Sequence, residues 1–378
     1  MAAPHTAREL ALCGPNKLKL GVFSANVSRG GTMTTVPEAL SLNWQQNLSI
    51  QRTADDLGFE ILIPVGRWRS FGGPSDFNAD SFETYTWAAG VGQATQRIAC
   101  VATSHVTTVH PLLAAKQGTT IDHITGGRFA LNIVCGWFKE EMEMFGGELL
   151  QHDERYDYAA EWLSIVKLFW QREDAFDFEG RYFRIKKGAT RPRPLQHPYP
   201  PLINAGGSPR GQRFAAEHCD IAFVTIDQED PNAAAAHVRR YREMARQDFG
   251  RELQVWAIAY VVQGTTQREA EEYLHYYAVT HGDDEAVANC LGTLGIQSQM
   301  FSPEQYERLK FHLKAGYFGY PLIGTAERIV DEVTRLSNIG IDGLALVWCD
   351  YYDGLARWRD GVMPLLVQAG LRRDSITG

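Results

Sequence analysis

Eight short apolar runs recur along this chain, with helix-forming stretches between them. The runs fall at residues 18–24, 60–65, 97–104, 129–135, 201–205, 221–225, 255–262 and 343–348. Helical patterning follows at 43–57, 82–95, 112–124, 154–170, from about 208, at 232–248, 267–280 and 354–368, with a further helix at 326–339 before the last run. Runs that are apolar nearly throughout suit a parallel sheet covered on both faces. Such alternation over this length predicts an α/β fold, a closed (β/α)8 TIM barrel, ahead of a doubly wound open sheet. Two stretches interrupt it. Residues 173–200 carry Phe176, Phe178, Tyr182, Phe183 and the prolines Pro192, Pro194, Pro198 and Pro200, which predict a small hairpin and then an extended arm. Residues 282–322 hold Gly292, Gly295, Gly316 and Gly319 without strong periodicity, which predicts an irregular excursion or lid. No repeat or linker is visible, so residues 1–378 are expected to form one domain with insertions at about 173–200 and 282–322.

Composition narrows the partners. A net charge of −8, a pI near 5.8 and no basic run argue against a nucleic-acid surface. The six cysteines (Cys13, Cys100, Cys135, Cys219, Cys290, Cys349) form no C-x-x-C and no ligand spacing, and are expected to be buried thiols of a reducing compartment. The start is polar and no window approaches a membrane span, so a soluble, cytoplasmic protein is expected.

Three segments carry chemistry. In 121–137 an apolar helix tail ends at Gly126-Gly127, and the following run delivers Asn132, Gly136 and Trp137 at its C-terminal end, where ligands collect in parallel β/α proteins. The Asn132 amide inside an apolar run needs partners, from a ligand or from a structural hydrogen bond to a neighbouring loop. In 201–211 a run leads into Gly206, Gly207 and Ser208, with Pro209 at a natural first helical position. Glycines admit close backbone approach and a helix start presents unpaired N–H groups, so this turn predicts a phosphate site ahead of an ordinary helix cap. In 152–158 Asp153 is expected to cap a long helix, with Arg155 and Tyr156 on its first turn and able to reach the barrel mouth. Arg210 stands where a G-x-S-x-G nucleophile elbow needs glycine. The Gly90-Val-Gly stretch lacks the last glycine of a dinucleotide fingerprint, and His105 and His110 have no metal-ligand spacing, so no metal is expected.

The set T-I-D-H-I-T-G-G-R-F (120–129), N-I-V-C-G-W-F-K-E-E (132–141), H-D-E-R-Y (152–156) and A-G-G-S (205–208) resembles the bacterial luciferase-like flavin monooxygenases. The resemblance spans about 18–366 and is nearest in pattern to the branch of dimethylsulfone and pyrimidine monooxygenases. It implies a barrel that binds FMN as FMNH2, supplied by a separate NAD(P)H-dependent flavin reductase, and uses O2 on a small organic substrate. It further implies a homodimer or homotetramer. Carried over by position, Val65, Gly66, Arg67, Asn132 and Glu141 would contact the flavin. Arg155, Tyr156, Gly207 and Ser208 would hold its phosphate. Thr103 and Asn132 would form the polar pair where oxygen is held, both as hydrogen-bond donors, and Trp137 would wall that pocket. Trp68 and His105 are candidate substrate contacts. Oxidative cleavage of a C–S or C–N bond in a sulfone, sulfonate or heterocycle is the activity implied. A deazaflavin-dependent oxidoreductase, a metal-dependent barrel hydrolase and a noncatalytic flavin-binding protein are the alternatives.

Overall fold

The computed structural model describes residues 10–226, 228 and 230–373. Eight parallel strands close a barrel: β1 (Lys19–Phe23), β2 (Ile61–Ile63), β3 (Ala99–His105), β4 (Phe129–Val134), β7 (Leu202–Asn204), β8 (Ile221–Val224), β9 (Gln254–Gln263) and β11 (Gly343–Val347). They pair in that order, and β11 returns to β1 with Lys19 opposite Gly343. β5 (Phe176–Glu179) and β6 (Arg184–Gly188) form the expected hairpin. It is tethered by Glu161, whose carboxylate accepts the backbone N–H groups of Arg181, Tyr182 and Phe183 at 2.7–2.9 Å.

The helices are α1 (Trp44–Asp56), α2 (Thr84–Ala94), α3 (Pro111–Thr125), α4 (Lys139–Met144), α5 (His152–Gln171), α6 (Pro209–His218), α7 (Pro231–Phe249), α8 (Gln267–His275), α9 (Asp284–Thr293), α10 (Pro303–Gly316), α11 (Ala326–Asn338), α12 (Tyr351–Arg357) and α13 (Met363–Gln368). Outward strand residues such as Leu20, Leu62, Leu131 and Leu202 pack with Ile50, Val91, Trp162 and Phe214 of the helices. Inward residues form a second core of Ile61, Ile63, Ala99, Val101, Ala130, Ile203, Phe223 and Trp256. Trp256 fills the centre because Gly343 beside it has no side chain: a Cβ there would lie 2.4 Å from the indole. Leu10 and Leu12 join the same cluster.

Two expectations are corrected. Residues 282–322 are not irregular: they form α9, α10 and most of β10 (Tyr320–Gly324), which extends the sheet from β9 alone. α9 and α10 roof one side of the mouth, where Val287, Leu291 and Leu313 cluster with Phe71, Phe77 and Phe138. Asp283 accepts the Ser75 N–H at 2.7 Å and Asn289 donates to the Phe71 carbonyl at 2.8 Å, which locks this roof to the loop after β2. Of the cysteines, Cys13 is exposed while the other five are buried. No described helix is long and apolar enough to cross a membrane.

Candidate active site at the barrel mouth

Side chains alternate along a strand, so the inward set of β3 that begins with Ala99 and Val101 continues to Thr103 and His105. On β4 the same reasoning carries Ala130 to Asn132, and the register sets Asn132 directly opposite Thr103. These three polar groups therefore line the C-terminal mouth. Asn132 Nδ2 donates to Thr103 Oγ1 at 3.2 Å, and Thr103 Oγ1 donates to the Pro64 carbonyl at 2.6 Å. In this arrangement the single Thr103 hydroxyl proton is directed at the Pro64 carbonyl. Asn132 Oδ1 is buried without a partner.

The loop after β2 is held by a carboxylate from the next-but-one unit. Glu141 is fully buried, and its Oε1 accepts from the N–H groups of Trp68 (2.7 Å) and Arg69 (3.1 Å) and from Arg67 Nη1 (3.3 Å). The Arg67 guanidinium lies over the rings of Phe71, Trp137 and Phe138, at 4.7, 5.2 and 5.5 Å from their centroids. Trp137 stacks against Phe71 and Phe138, which also stack on each other. The Val65 N–H is taken by Asn26 Oδ1 at 2.7 Å. Gly66, Arg67, Trp68, Thr84, Thr103 and His105 line a cavity of about 130 Å3 that opens to solvent. Trp68 is 46% exposed at its rim, edge-on to Phe145.

His105 Nδ1 sits 3.7 Å from Glu141 Oε2, and both atoms are buried without a hydrogen bond. Burial pushes the imidazole down from 6.5 to about 4, with Glu141 opposing and Arg67 adding to the shift. The ring is neutral near pH 7. Because its pKa is lower folded than unfolded, the unfolded chain takes the proton first as pH falls. The stability contributed is complete above about 6.5 and is lost as pH falls towards about 4. On going from pH 7 to pH 5, wild type should lose about 2 kcal/mol more of its unfolding free energy, followed by urea, than a His105→Gln variant. Equal losses in the two proteins would refute this.

The second polar centre is the turn after β7. Ser208 caps α6 by accepting the Gly211 N–H at 3.1 Å, with Pro209 at the first turn, as the sequence predicts. Asn204 Oδ1 accepts the Gly206 N–H at 2.8 Å and Tyr241 donates to the Gly206 carbonyl at 3.1 Å. Tyr156 packs its hydroxyl against Gly206 and Gly211, beside Ser208. Gly207 stays open, with nothing within 4 Å of a Cβ built there. Arg155 donates to the carbonyl of Gly136 at 2.7 Å, while its Nε is unpartnered. Gly136 turns β4 towards Trp137 at φ 97°, a conformation that glycine adopts without strain. Asp153 does not cap α5: the helix begins at His152 after Gln151, and Asp153 instead accepts from His152 Nδ1 at 2.7 Å. Asn204, Pro64 and Tyr241 were absent from the sequence-level candidates. Only Asn204 left a signal, as a polar residue ending an apolar run before two glycines.

A parallel barrel whose mouth carries buried unpartnered polar atoms beside a glycine-rich helix start is an enzyme scaffold suited to a phosphate-bearing ligand. The chain belongs to the luciferase-like monooxygenase family, whose model matches residues 18–343. It is 30% identical over 371 residues to the pyrimidine monooxygenase RutA of a Bradyrhizobium species, covering 94% of this chain and 99% of that one. It is 28% identical over 356 residues to the FMNH2-dependent dimethylsulfone monooxygenase of Pseudomonas putida, covering 92% and 95%. Among solved structures, the long-chain alkane monooxygenase LadA superposes with a TM-score of 0.81 at 21% identity, covering 96% of this chain and 94% of that one.

Proposed function

We propose that the chain is a two-component monooxygenase that takes FMNH2 from a separate flavin reductase and uses O2 to cleave a C–S or C–N bond in a small organic molecule. The observation that carries this reading is the group of buried, unpartnered polar atoms around one barrel mouth: Asn132 Oδ1, His105 Nδ1, Glu141 Oε2, Arg67 Nε and Arg155 Nε. Native proteins rarely leave such atoms unsatisfied, so a polar ligand is expected there. The names of the relatives, pyrimidine and dimethylsulfone monooxygenases, support a small nitrogen- or sulfur-containing substrate.

The residues present suit the cofactor. Gly207 and Ser208 at the start of α6, with Arg155 and Tyr156, would hold the phosphate. Val65, Gly66, Arg67, Asn132 and Glu141 would border the ring. When bound, the reduced flavin supplies the electrons that activate O2. The protein's share is to position, to exclude water and to keep protons where they are needed. Thr103 fixes Asn132, Glu141 fixes the loop from Arg67 to Arg69, and the roof of α9 and α10 covers the aromatic side of the mouth. Neutral His105 and the rings of Trp68 and Trp137 offer the substrate a largely apolar pocket. The reading includes one barrel domain with two insertions, a homodimer or homotetramer and a cytoplasmic location.

Anaerobic titration with FMNH2, followed by O2 uptake with a flavin reductase, NADH and uracil, dimethyl sulfone or methanesulfonate, tests it. Saturable flavin binding and substrate-dependent product are expected. No binding of either flavin form would sink the reading, and tight binding of a deazaflavin instead would favour the reductase alternative.

A further inference from the structure

We infer that the mouth selects a neutral substrate bearing N–H groups, an amide or a lactam ring, over a sulfone or a sulfonate. The reason is that the polar side chains on its cavity wall are left with hydrogen-bond acceptors to offer. The inference rests on the monooxygenase reading above in calling this ligand the substrate. The character of the wall does not depend on a flavin.

A hydroxyl has one hydrogen, and the hydroxyls on this wall spend theirs on the protein. Ser81 donates to the Arg67 carbonyl at 2.8 Å and Thr84 to the Thr103 carbonyl at 2.8 Å. Thr103 donates to the Pro64 carbonyl at 2.6 Å and Thr108 to the His105 carbonyl at 3.1 Å. A carbonyl can only accept, so the direction of each bond is fixed. Turning any of these hydroxyls to a ligand would give up its bond, while its oxygen can accept freely. The Tyr85 hydroxyl is buried beside Ser104, out of a ligand's reach. The Arg67 guanidinium lies over Phe71, Trp137 and Phe138, none of which lines this cavity. Trp68 stands at the solvent rim.

His105 adds the strongest acceptor. Its Nδ1 faces Glu141 Oε2 at 3.7 Å, and a lone pair there would oppose the carboxylate, so the ring hydrogen belongs on Nδ1. That leaves the lone pair on Nε2. This atom is turned to Gly66 on the cavity wall, where a Cβ would lie 3.3 Å from it. Burial keeps the ring neutral near pH 7, so Nε2 remains an acceptor. Both nearby carboxylates are already engaged. Glu141 holds Arg67 with the Trp68 and Arg69 N–H groups, and Glu83 accepts the Tyr85 and Thr86 N–H groups at the start of α2. The wall therefore holds no unspent charge for an ammonium or a sulfonate. Sulfone and sulfonate oxygens would meet acceptors with acceptors, whereas an amide or lactam N–H meets the Nε2 lone pair.

Isothermal titration of the full chain, with and without FMN, against uracil, 1,3-dimethyluracil, dimethyl sulfone and methanesulfonate tests this. Uracil should bind about tenfold or more tighter than each of the others. The dimethyl compound keeps the ring and both carbonyls but lacks the N–H groups. His105→Leu should weaken uracil about tenfold and leave 1,3-dimethyluracil unchanged, which closes the gap between them. His105→Gln retains an acceptor and should keep most of the preference. If His105→Leu does not fold, the ranking of the probes by wild type carries the test. Dimethyl sulfone or methanesulfonate binding as tightly as uracil, a gap that survives His105→Leu, or no binding of any probe would overturn the inference. Each of these leaves the flavin reading standing. A preference for uracil in a protein that binds neither FMN nor FMNH2 would instead overturn the flavin reading and uphold the selectivity of the cavity.

Discussion

Replacing Glu141 with alanine should destabilise the protein by about 3–5 kcal/mol, the usual result of leaving a buried charge without its partner. The stranded group is Arg67, whose side chain is 2% exposed. Its guanidinium is stacked over three aromatic rings, which stabilise a cation but give it no acceptor. The same substitution orphans the N–H groups of Trp68 and Arg69, at about 1–3 kcal/mol for each buried donor. The loop after β2 would then lose its tie to α4, and flavin affinity should fall with it. Glu141→Gln separates the two effects, because its carbonyl still accepts the backbone N–H groups while the charge is gone. Arg67→Met in the Glu141→Gln background should recover part of the loss, since a flexible apolar side chain fits among Phe71, Trp137 and Phe138. Urea unfolding of wild type, Glu141→Gln, Arg67→Met and the double variant gives the coupling directly. A Glu141→Ala protein within about 1 kcal/mol of wild type would show that the pair does not hold the loop.

That tie also shows where sequence reading stops. The eight barrel strands stand where the apolar runs predict them, because a strand buried on both faces needs no partner to be visible. Gly126, which ends α3 in the left-handed region, is equally local. The roof was not legible, for a different reason. α9 buries Ala286, Val287, Cys290 and Leu291, but the surface they meet belongs to Phe71, Phe77 and Phe138, some 150 to 220 positions earlier in the chain. β10 contains Pro321, which argues against a strand, and is tolerated because β10 pairs with β9 alone. The site divides the same way. Ser208 and Pro209 announce a helix start from their own chemistry. The direction of the Thr103 hydrogen bond depends on Pro64 in another strand's loop, and nothing near Thr103 in sequence specifies it.

The glycine turn after β7 should give the sharpest separation of cofactor binding from folding. A Cβ at Gly211 would lie 2.5 Å from the Tyr156 hydroxyl and 2.7 Å from Gly206 Cα, so Gly211→Ala must displace the tyrosine or lift α6 off the turn. Overpacking of this kind costs about 1–3 kcal/mol of stability. The loss of FMN affinity should be larger in consequence, about 100-fold, because Tyr156, Ser208 and the first N–H groups of α6 move together. Gly207→Ala is the complementary case. The position is open and its backbone is not left-handed, so alanine strains nothing and should leave the melting temperature unchanged or slightly raised. If the phosphate lies against this turn, the new methyl group still meets it, and FMN affinity falls in a fully stable protein. Riboflavin supplies the control, since it lacks the phosphate. Wild type should prefer FMN to riboflavin, and both glycine variants should lose most of that preference while binding riboflavin much as wild type does. Gly207→Ala with an undiminished preference would place the phosphate elsewhere, and would reassign Arg155 and Tyr156 to holding α5 against α6.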